Sequence, residues 1–140
     1  MPTLTGSCHC HRLQLALHGP LDPATTAPRA CDCSFCQPHA AAWVSDPDGE
    51  LVITASDADA LSRYRQGSES AEFLLCRHCG VLLAVVFATD DGMRGAVNVR
   101  CLANAAEFAL PQTVSPQQLA PKARRERWRS LWTPVRIEVG

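Results

Sequence analysis

Apolar and polar residues alternate with a period of two in several short segments of this chain. Residues 13–17 alternate leucine with polar or small residues, and residues 135–139 alternate in the same way. This spacing places apolar side chains on one face of a β-strand. Further apolar or alternating segments cover residues 43–44, 51–53, 61–65, 73–75, 81–87 and 97–99. The number of short strands predicts an all-β domain.

Turn-forming residues separate these segments. Asp46-Pro47-Asp48-Gly49 is typical of a tight turn and predicts a hairpin between residues 43–44 and 51–53. Residues 76–80 predict a knuckle between two paired strands, and residues 66–68 and 90–92 predict further turns. Residues 56–59 allow a capped helical turn, but the alternation that follows favours a strand.

The last part of the chain has a different pattern. Residues 115–118 are typical of a helix start, and Trp128, Leu131 and Trp132 share one face if residues 122–132 are helical. A basic run occupies the same segment: Lys122, Arg124, Arg125, Arg127 and Arg129. Basic residues near tryptophans can bind nucleic acid. Such a run is more often the solvated face of a helix, and we expect no nucleic-acid partner.

Length and charge exclude several classes of protein. A chain of 140 residues predicts a single domain, residues 1–140. With 13 basic and 14 acidic residues the net charge is −1, so no overall field attracts nucleic acid or an anionic membrane. No secretory signal and no run of about 18 apolar residues is found. We therefore expect a cytoplasmic protein without a membrane partner, and no feature predicts its oligomeric state.

The eight cysteines are grouped along the sequence. They are Cys8, Cys10, Cys31, Cys33, Cys36, Cys76, Cys79 and Cys101. In a reducing compartment such thiols stay reduced, and clustered ones serve metal binding or redox chemistry. Zinc takes four ligands in a tetrahedron, and one tight turn can present two thiolates from the same side.

Two of the cysteine pairs can together close a structural zinc site. Cys76 and Cys79 are a strong half-site, because Gly80 can adopt the positive φ that turns backbone N–H groups toward the sulfurs. Cys8 and Cys10 offer the second pair. Four thiolates complete the tetrahedron.

The middle group, Cys31, Cys33 and Cys36, predicts a second zinc ion by itself. Three protein ligands leave a fourth position for water or substrate, which is typical of catalytic zinc. Three thiolates neutralise the charge of the zinc ion, so the ion lowers the pKa of bound water less than it would with neutral ligands. Hydroxide chemistry is therefore disfavoured, and a soft thiol can replace the water.

Other interpretations of the cysteines stay open at the level of sequence. A C-x-x-C pair can exchange disulfides, although the flanking βαβ pattern is missing. All the clusters could share one metal ion, or Cys31, Cys33 and Cys36 could form an empty, oxidisable thiol patch. A redox sensor would act through oxidation of Cys31 or Cys33. Cys101 is expected to be a small buried apolar residue. The nearby histidines are expected to be exposed or to support the ligands: His9, His11, His39 and His78.

The combined motifs resemble the glutathione-dependent formaldehyde-activating enzyme family, which includes the centromere protein V group. The matching segments are Gly6-Ser7-Cys8-His9-Cys10, Cys31-Asp32-Cys33-Ser34-Phe35-Cys36, Tyr64, Phe73-Leu74-Leu75-Cys76-Arg77-His78-Cys79-Gly80 and Val97-Asn98-Val99-Arg100-Cys101-Leu102. They cover residues 5–103, which leaves residues 104–140 as a C-terminal extension packed on the domain.

This resemblance implies a Mss4-like β fold with two zinc ions. Cys8, Cys10, Cys76 and Cys79 would hold a structural zinc, and Cys31, Cys33 and Cys36 the catalytic one. The family activity is that of a carbon–sulfur lyase, in which glutathione and formaldehyde combine to S-hydroxymethylglutathione. The implied partners are a small-molecule thiol and an aldehyde. The centromere protein V group supports another expectation, a non-catalytic zinc-stabilised module that binds a macromolecular partner.

The chain departs from the family pattern at three places. Relatives commonly have glycine after the first cysteine pair, a basic residue and a glycine after the middle cluster, and Thr or Ser after the last Cys-Gly. Here those places hold His11, Gln37-Pro38-His39-Ala40 and Val81. The metal ligands are unaffected, whereas the substrate pocket is expected to differ.

Overall fold

A computed structural model describes residues 3–65 and 71–140 of the chain. Within these residues the protein forms eleven β-strands and one α-helix. The strands are β1 (Thr3–Ser7), β2 (Leu13–His18), β3 (Arg29–Cys31), β4 (Ala42–Val44), β5 (Glu50–Ala55), β6 (Leu61–Arg65), β7 (Glu72–Cys76), β8 (Leu82–Thr89), β9 (Gly92–Asn98), β10 (Gln112–Val114) and β11 (Thr133–Val139), and the helix is α1 (Pro121–Leu131). This mainly β architecture with a short C-terminal helix confirms the predicted fold class.

The strands divide into two regions that β11 joins. In the first region β1, β2 and β5 are antiparallel neighbours, and β11 pairs with β5 in parallel from Val135 to Val139. In the second region β6, β7, β8 and β9 form an antiparallel series. The start of β11 also pairs with β9, at Arg94 and Gly95. The C-terminal strand is therefore part of the sheet rather than an addition to its surface.

One edge of β9 has two successive partners. Beyond the pairing with β11, residues Val97 and Asn98 pair with β4, which continues the sheet to β3 and β10. Gly95 lies at the point where the partner changes, and a Cβ there would lie 2.6 Å from the carbonyl oxygen of Val85. Glycine is required at this crossing because the backbones approach so closely.

The predicted hairpin at residues 46–49 is wrong. The turn forms, but β4 pairs with β3 and β9, whereas β5 pairs with β2 and β11. The buried Asp46 explains this path, because its carboxylate accepts hydrogen bonds from the backbone N–H groups of Leu21 and Asp48. These bonds direct the chain from one region of the sheet to the other.

Other local predictions are mostly confirmed. The strand–knuckle–strand hairpin around residues 76–80 forms as expected, and a capped 3-10 turn at Ala58–Ala60 precedes β6, so both features predicted for residues 56–65 are present. The predicted strand at residues 97–99 ends at Asn98, whose side chain accepts from the backbone N–H of Arg100 and starts a 3-10 turn. The predicted turn at residues 66–68 lies outside the described residues.

The C-terminal helix begins later than the sequence suggests. Residues Pro116–Gln118 form a 3-10 turn, and α1 starts at Pro121. Trp128 stacks on Trp132 with ring centroids 4.6 Å apart, and both rings meet the edge of Phe87. The helix is attached to the sheet through these aromatic rings. No helix in the described part of the chain is long and apolar enough to cross a membrane.

Buried side chains form two core clusters. The larger is made mainly of leucine, isoleucine and valine from β2, β5, β7, β8 and β9, and it includes Cys8 and Cys76. The smaller is aromatic, with Trp43, Phe73, Phe87 and Trp132, and it includes Cys31 and Cys36. The two groups of cysteines are thus packed into different parts of the core.

Candidate metal centres and the adjoining cavity

The first cysteine pair lies in the turn between β1 and β2. The backbone N–H of Cys8 donates to the carbonyl of Leu13, and the N–H of Leu13 donates to Cys8 Sγ at 3.3 Å. The turn closes through a bond from the N–H of His11 to the carbonyl of Cys8. Backbone donors directed at sulfur stabilise the thiolate that binds metal.

The second pair occupies the equivalent turn between β7 and β8. Gly80 has φ +79° and donates from its backbone N–H to the carbonyl of Cys76, at 2.8 Å. The N–H of Cys79 donates to Cys76 Sγ at 3.4 Å. The positive φ predicted for Gly80 is confirmed, and it allows this tight turn without a steric penalty from a Cβ.

The two turns meet and bring four sulfurs together. The Sγ atoms of Cys8, Cys10, Cys76 and Cys79 all lie within 4.8 Å of one another. Cys8 and Cys10 are separated by 3.7 Å, and Cys10 and Cys76 by 3.5 Å. Four sulfurs at about 2.3 Å from a zinc ion would be about 3.8 Å apart, whereas a disulfide needs about 2.05 Å. The donor set and its spacing therefore fit a tetrahedral metal ion.

The middle group forms a separate three-sulfur cluster. Cys31 ends β3, Cys33 and Cys36 lie in the following loop, and the three Sγ atoms lie within 4.8 Å of one another. The N–H of Cys36 donates to Cys33 Sγ at 3.3 Å. Among residues 3–65 and 71–140, no His, Asp, Glu or further Cys joins this group. The two groups are distinct, so a single ion cannot bind all seven sulfurs.

Neighbouring thiols shift one another's proton affinity. A hydrogen bond with Cys36 lowers the pKa of Cys31 to about 6, and the same contact together with burial raises the pKa of Cys36. In the other cluster a backbone hydrogen bond from Arg12 lowers the pKa of Cys10 to about 6, while burial raises that of Cys76 to about 11. Each cluster thus holds one thiolate readily, and a divalent cation would displace the remaining protons.

Two residues beside the clusters have left-handed backbone conformations without being glycine. His11 has φ +68° and Ala40 has φ +50°. Both lie in the segments where the sequence departs from the expected family pattern. His11 Nδ1 lies 3.0 Å from the hydroxyl of Ser7, and the carbonyl of Ala40 accepts from Arg100 Nε at 3.2 Å. These contacts stabilise conformations that otherwise cost about 1–2 kcal/mol per residue.

The three-cysteine cluster forms part of the wall of a cavity of about 360 Å³. The other walls come from β3, β4, β7, β8, the 114–119 segment and α1. Most lining residues are apolar, and the aromatic ones are Trp43, Phe73, Trp128 and Trp132. Phe35 is positioned next to this wall, with its ring 4.3 Å from Phe73 and 5.0 Å from Tyr64. The aromatic contacts fix the loop that carries Cys33 and Cys36.

Arginine side chains supply the charge around this cavity. Arg29, Arg124 and Arg127 all line it. Arg29 Nη2 donates to the hydroxyl of Ser45 at 2.8 Å, and burial and the charge of Arg127 lower the pKa of Arg29 to about 10. Arg124 instead donates to the backbone carbonyls of Pro116 and Leu119, and so holds the segment before α1.

The remaining residues singled out in the sequence lie outside the two clusters. Cys101 is partly rather than fully buried, its thiol donates to the carbonyl of Leu82, and burial raises its pKa to about 11. His9, His11 and His39 line a separate, shallower cavity beside Cys8 and Cys79. Sequence analysis did not identify Arg29, Trp43 or Phe73 as site residues. Trp128 and Arg127 stood out only as part of a basic and aromatic segment.

The fold and the two cysteine groups define a mainly β protein with two centres able to hold metal ions. Residues 3–128 match the family described as glutathione-dependent formaldehyde-activating enzyme. The chain therefore belongs to this family, which confirms the resemblance seen in its sequence motifs. No curated protein matches the chain.

A solved structure has a similar fold. The crystal structure of a Rhodobacter sphaeroides protein is similar, with a TM-score of 0.59 and 25% sequence identity. The similarity covers 79% of this chain and 99% of that chain.

Proposed function

We propose that this protein is a zinc enzyme that adds a small thiol reversibly to an aldehyde, with Cys31, Cys33 and Cys36 as the ligands of the catalytic ion. The observation that carries the proposal is the position of these three sulfurs in the wall of the aromatic cavity. Cys8, Cys10, Cys76 and Cys79 do not line that cavity, and we assign them to a structural zinc.

A zinc ion in the three-sulfur site would supply a soft Lewis acid that lowers the pKa of a small thiol and keeps it nucleophilic. In the reaction the thiol sulfur bonds to the carbonyl carbon, the C=O π bond breaks, and the thiol proton ends on the oxygen. The product is a hemithioacetal. The aromatic side chains give the cavity a largely apolar wall. Glutathione and formaldehyde are the first pair to test, because the family carries their names.

A non-catalytic module stabilised by zinc is the alternative function. Its support is the solvent-exposed basic side of α1, which carries Lys122, Arg125 and Arg129. The cavity favours the enzyme, since a purely structural ion does not need sulfurs that border a ligand-sized space.

The Cys33→Ser variant tests the catalytic site. It should fold, contain one metal ion fewer per chain than the wild type, and lose thiol–aldehyde activity by more than about 100-fold. Metal content is measured by mass spectrometry of the native protein, and activity by the rate at which NMR detects exchange between free thiol and hemithioacetal. Cys101→Ser is the matched control, because it removes a thiol outside both clusters and should leave both values unchanged.

Two results would contradict the proposal. If Cys33→Ser retains two metal ions and full activity, the three-cysteine cluster is not the catalytic site. If the wild-type protein with two metal ions does not accelerate exchange for any thiol–aldehyde pair, the binding module is the better assignment.

A further inference from the structure

Basic side chains line the described wall of the cavity beside the three-cysteine cluster, and the carboxylate of Asp32 accepts from the wall residue Ser115 at 2.7 Å. Arg29 and Arg127 both line the cavity, and no Asp or Glu is among the described residues of its wall. The two guanidinium groups are close enough for the charge of Arg127 to act on Arg29. An anionic ligand that reaches both guanidinium groups would be attracted by both charges.

The arginines are held in place from two different elements. Arg29 projects from β3, two residues before Cys31, and its Nη2 donates to the Ser45 hydroxyl, which in turn donates to the carbonyl of Leu131 at the end of α1. Arg127 projects from α1 itself. This chain of contacts ties β3 to the end of the helix that carries Arg127. Because Ser45 is neutral, the charge of Arg29 stays available to a ligand.

The rest of the cavity is suited to an apolar molecule. Trp43, Phe73, Trp128 and Trp132 contribute aromatic surface, and Val85, Val114 and Leu131 contribute aliphatic surface. Its volume of about 360 Å³ lies in the range of about 300–1,000 Å³ typical of small-molecule sites. Planar guanidinium groups recognise carboxylates through paired N–H donors. The cavity thus combines an apolar body with one anion-binding end.

We propose that Arg29 and Arg127 form a carboxylate-binding subsite, and that the cavity takes a thiol that carries both a carboxylate and an apolar, preferably aromatic, body. The thiol part rests on the proposed function, because it places the sulfur at the Cys31, Cys33 and Cys36 site. The carboxylate subsite does not depend on that chemistry. It predicts binding of apolar carboxylates that have no thiol at all.

The test uses 3-phenylpropanoate, its neutral analogue 3-phenylpropanamide, and propanoate, which lacks the aromatic body. Binding to the metal-containing protein is followed by quenching of tryptophan fluorescence at constant ionic strength, since three of the cavity residues are tryptophans. We expect 3-phenylpropanoate to bind at least about tenfold more tightly than either of the other two compounds. Arg127→Gln should remove the preference for the carboxylate over the amide. Arg129→Gln, on the same helix but outside the cavity wall, should keep it.

Three results would overturn the subsite. Equal affinity for 3-phenylpropanoate and the amide would show that charge is not recognised, and equal affinity for propanoate would show that the apolar wall is not used. If Cys33→Ser loses the carboxylate preference while Arg127→Gln keeps it, the anion binds the metal and not the arginines.

Failure of this proposal differs visibly from failure of the proposed function. Arg127→Gln should retain both metal ions, so loss of carboxylate binding leaves the zinc assignment intact. Conversely, an inactive protein that still prefers 3-phenylpropanoate would retain the subsite and lose only the thiol–aldehyde reaction.

Discussion

At the scale of single residues, the loops around the cysteines contain backbone conformations that most side chains avoid. Gly80 occupies one of them at no steric cost, whereas His11 and Ala40 occupy two more with a Cβ present. Histidine is among the residues that enter the left-handed region more often. Alanine has no such preference, and Ala40 is held by the bond that its carbonyl accepts from Arg100.

Ala40→Gly should therefore stabilise the protein. Removing the Cβ relieves the steric cost of the left-handed conformation. Glycine also raises the entropy of the unfolded chain, which offsets part of this gain, so the net increase in the free energy of unfolding is about 0.5–1 kcal/mol. Urea denaturation followed by circular dichroism measures it. Ala41→Gly is the control, because the buried Ala41 has no positive φ and should lose about 1 kcal/mol or more on the same change. Destabilisation of similar size in both variants would contradict the strain at Ala40.

The residues of the site could be predicted only where they are close in sequence. The seven clustered cysteines were identified because pairs and triplets of cysteine within six residues are typical of metal sites. Arg29, Trp43, Phe73 and Trp128 meet around the cavity only after four separate elements have packed. A pattern within one segment does not show that residues from different elements will come together. The cavity and its lining could therefore be recognised only from the structure.

At the scale of elements, the strand pair β6–β7 is stabilised by charge at the end where β6 finishes and β7 begins. Glu72 lies opposite Arg65 in the register, and its carboxylate accepts from Arg63 at 2.7 Å and from Arg65 at 3.2 Å. Burial raises the pKa of Glu72, but the hydrogen bonds and charges of the two arginines outweigh it and leave the pKa lowered.

Glu72→Gln should therefore destabilise the protein in a pH-dependent way. A carboxyl with a lowered pKa contributes its stability above its ordinary pKa of about 4.3, and the contribution is lost as pH falls through the lowered folded value. We expect a loss of about 0.5–1 kcal/mol at pH 7, since the arginines are largely exposed, and a difference from wild type that shrinks as pH falls below about 4.3 and disappears only below the lowered folded pKa. Urea denaturation at both pH values, with metal content measured in parallel, gives the comparison.

Glu138→Gln is the matched control for this pair. Glu138 contacts Arg136 at 3.1 Å, but both side chains are more than half exposed. Its substitution should have a smaller effect at pH 7. If Glu72→Gln shows the same loss at pH 3.5 as at pH 7, the ion pair is not the source of the effect.

The elements also show where local patterns mislead. Alternation predicted most strands correctly because a half-buried strand needs an apolar residue at every second position. The turn at residues 46–49 was identified, yet its chemistry does not determine whether the flanking strands pair. The buried carboxylate of Asp46 decides that, through its bond to Leu21 in a distant segment.

At the scale of the whole molecule, the four-cysteine cluster connects the two regions of the sheet, which also share the larger core cluster. Its sulfurs come from the turn between β1 and β2 and from the turn between β7 and β8, which belong to the two different regions of the sheet. A structural zinc ion bound there contributes on the order of 10 kcal/mol, comparable to the whole stability of a small domain.

Cys79→Ser should consequently unfold the domain rather than weaken one loop. The expected result is loss of the β-sheet circular dichroism signal and of both metal ions at 25 °C. This differs from Cys33→Ser, which should lose one ion and stay folded. A Cys79→Ser protein that remains folded with one ion would show that the four-cysteine site does not support the fold.

The distance along the chain between the two halves of this cluster affects the order of events during synthesis. Cys10 and Cys76 are 66 residues apart, so at about 5–20 residues per second the first pair waits on the order of 10 s for the second to be made. Throughout that interval Cys8 and Cys10 lack the pair that completes the four-sulfur site. Insertion of the ion is therefore a late event, and a growing chain is most vulnerable to thiol oxidation just before β7 is translated.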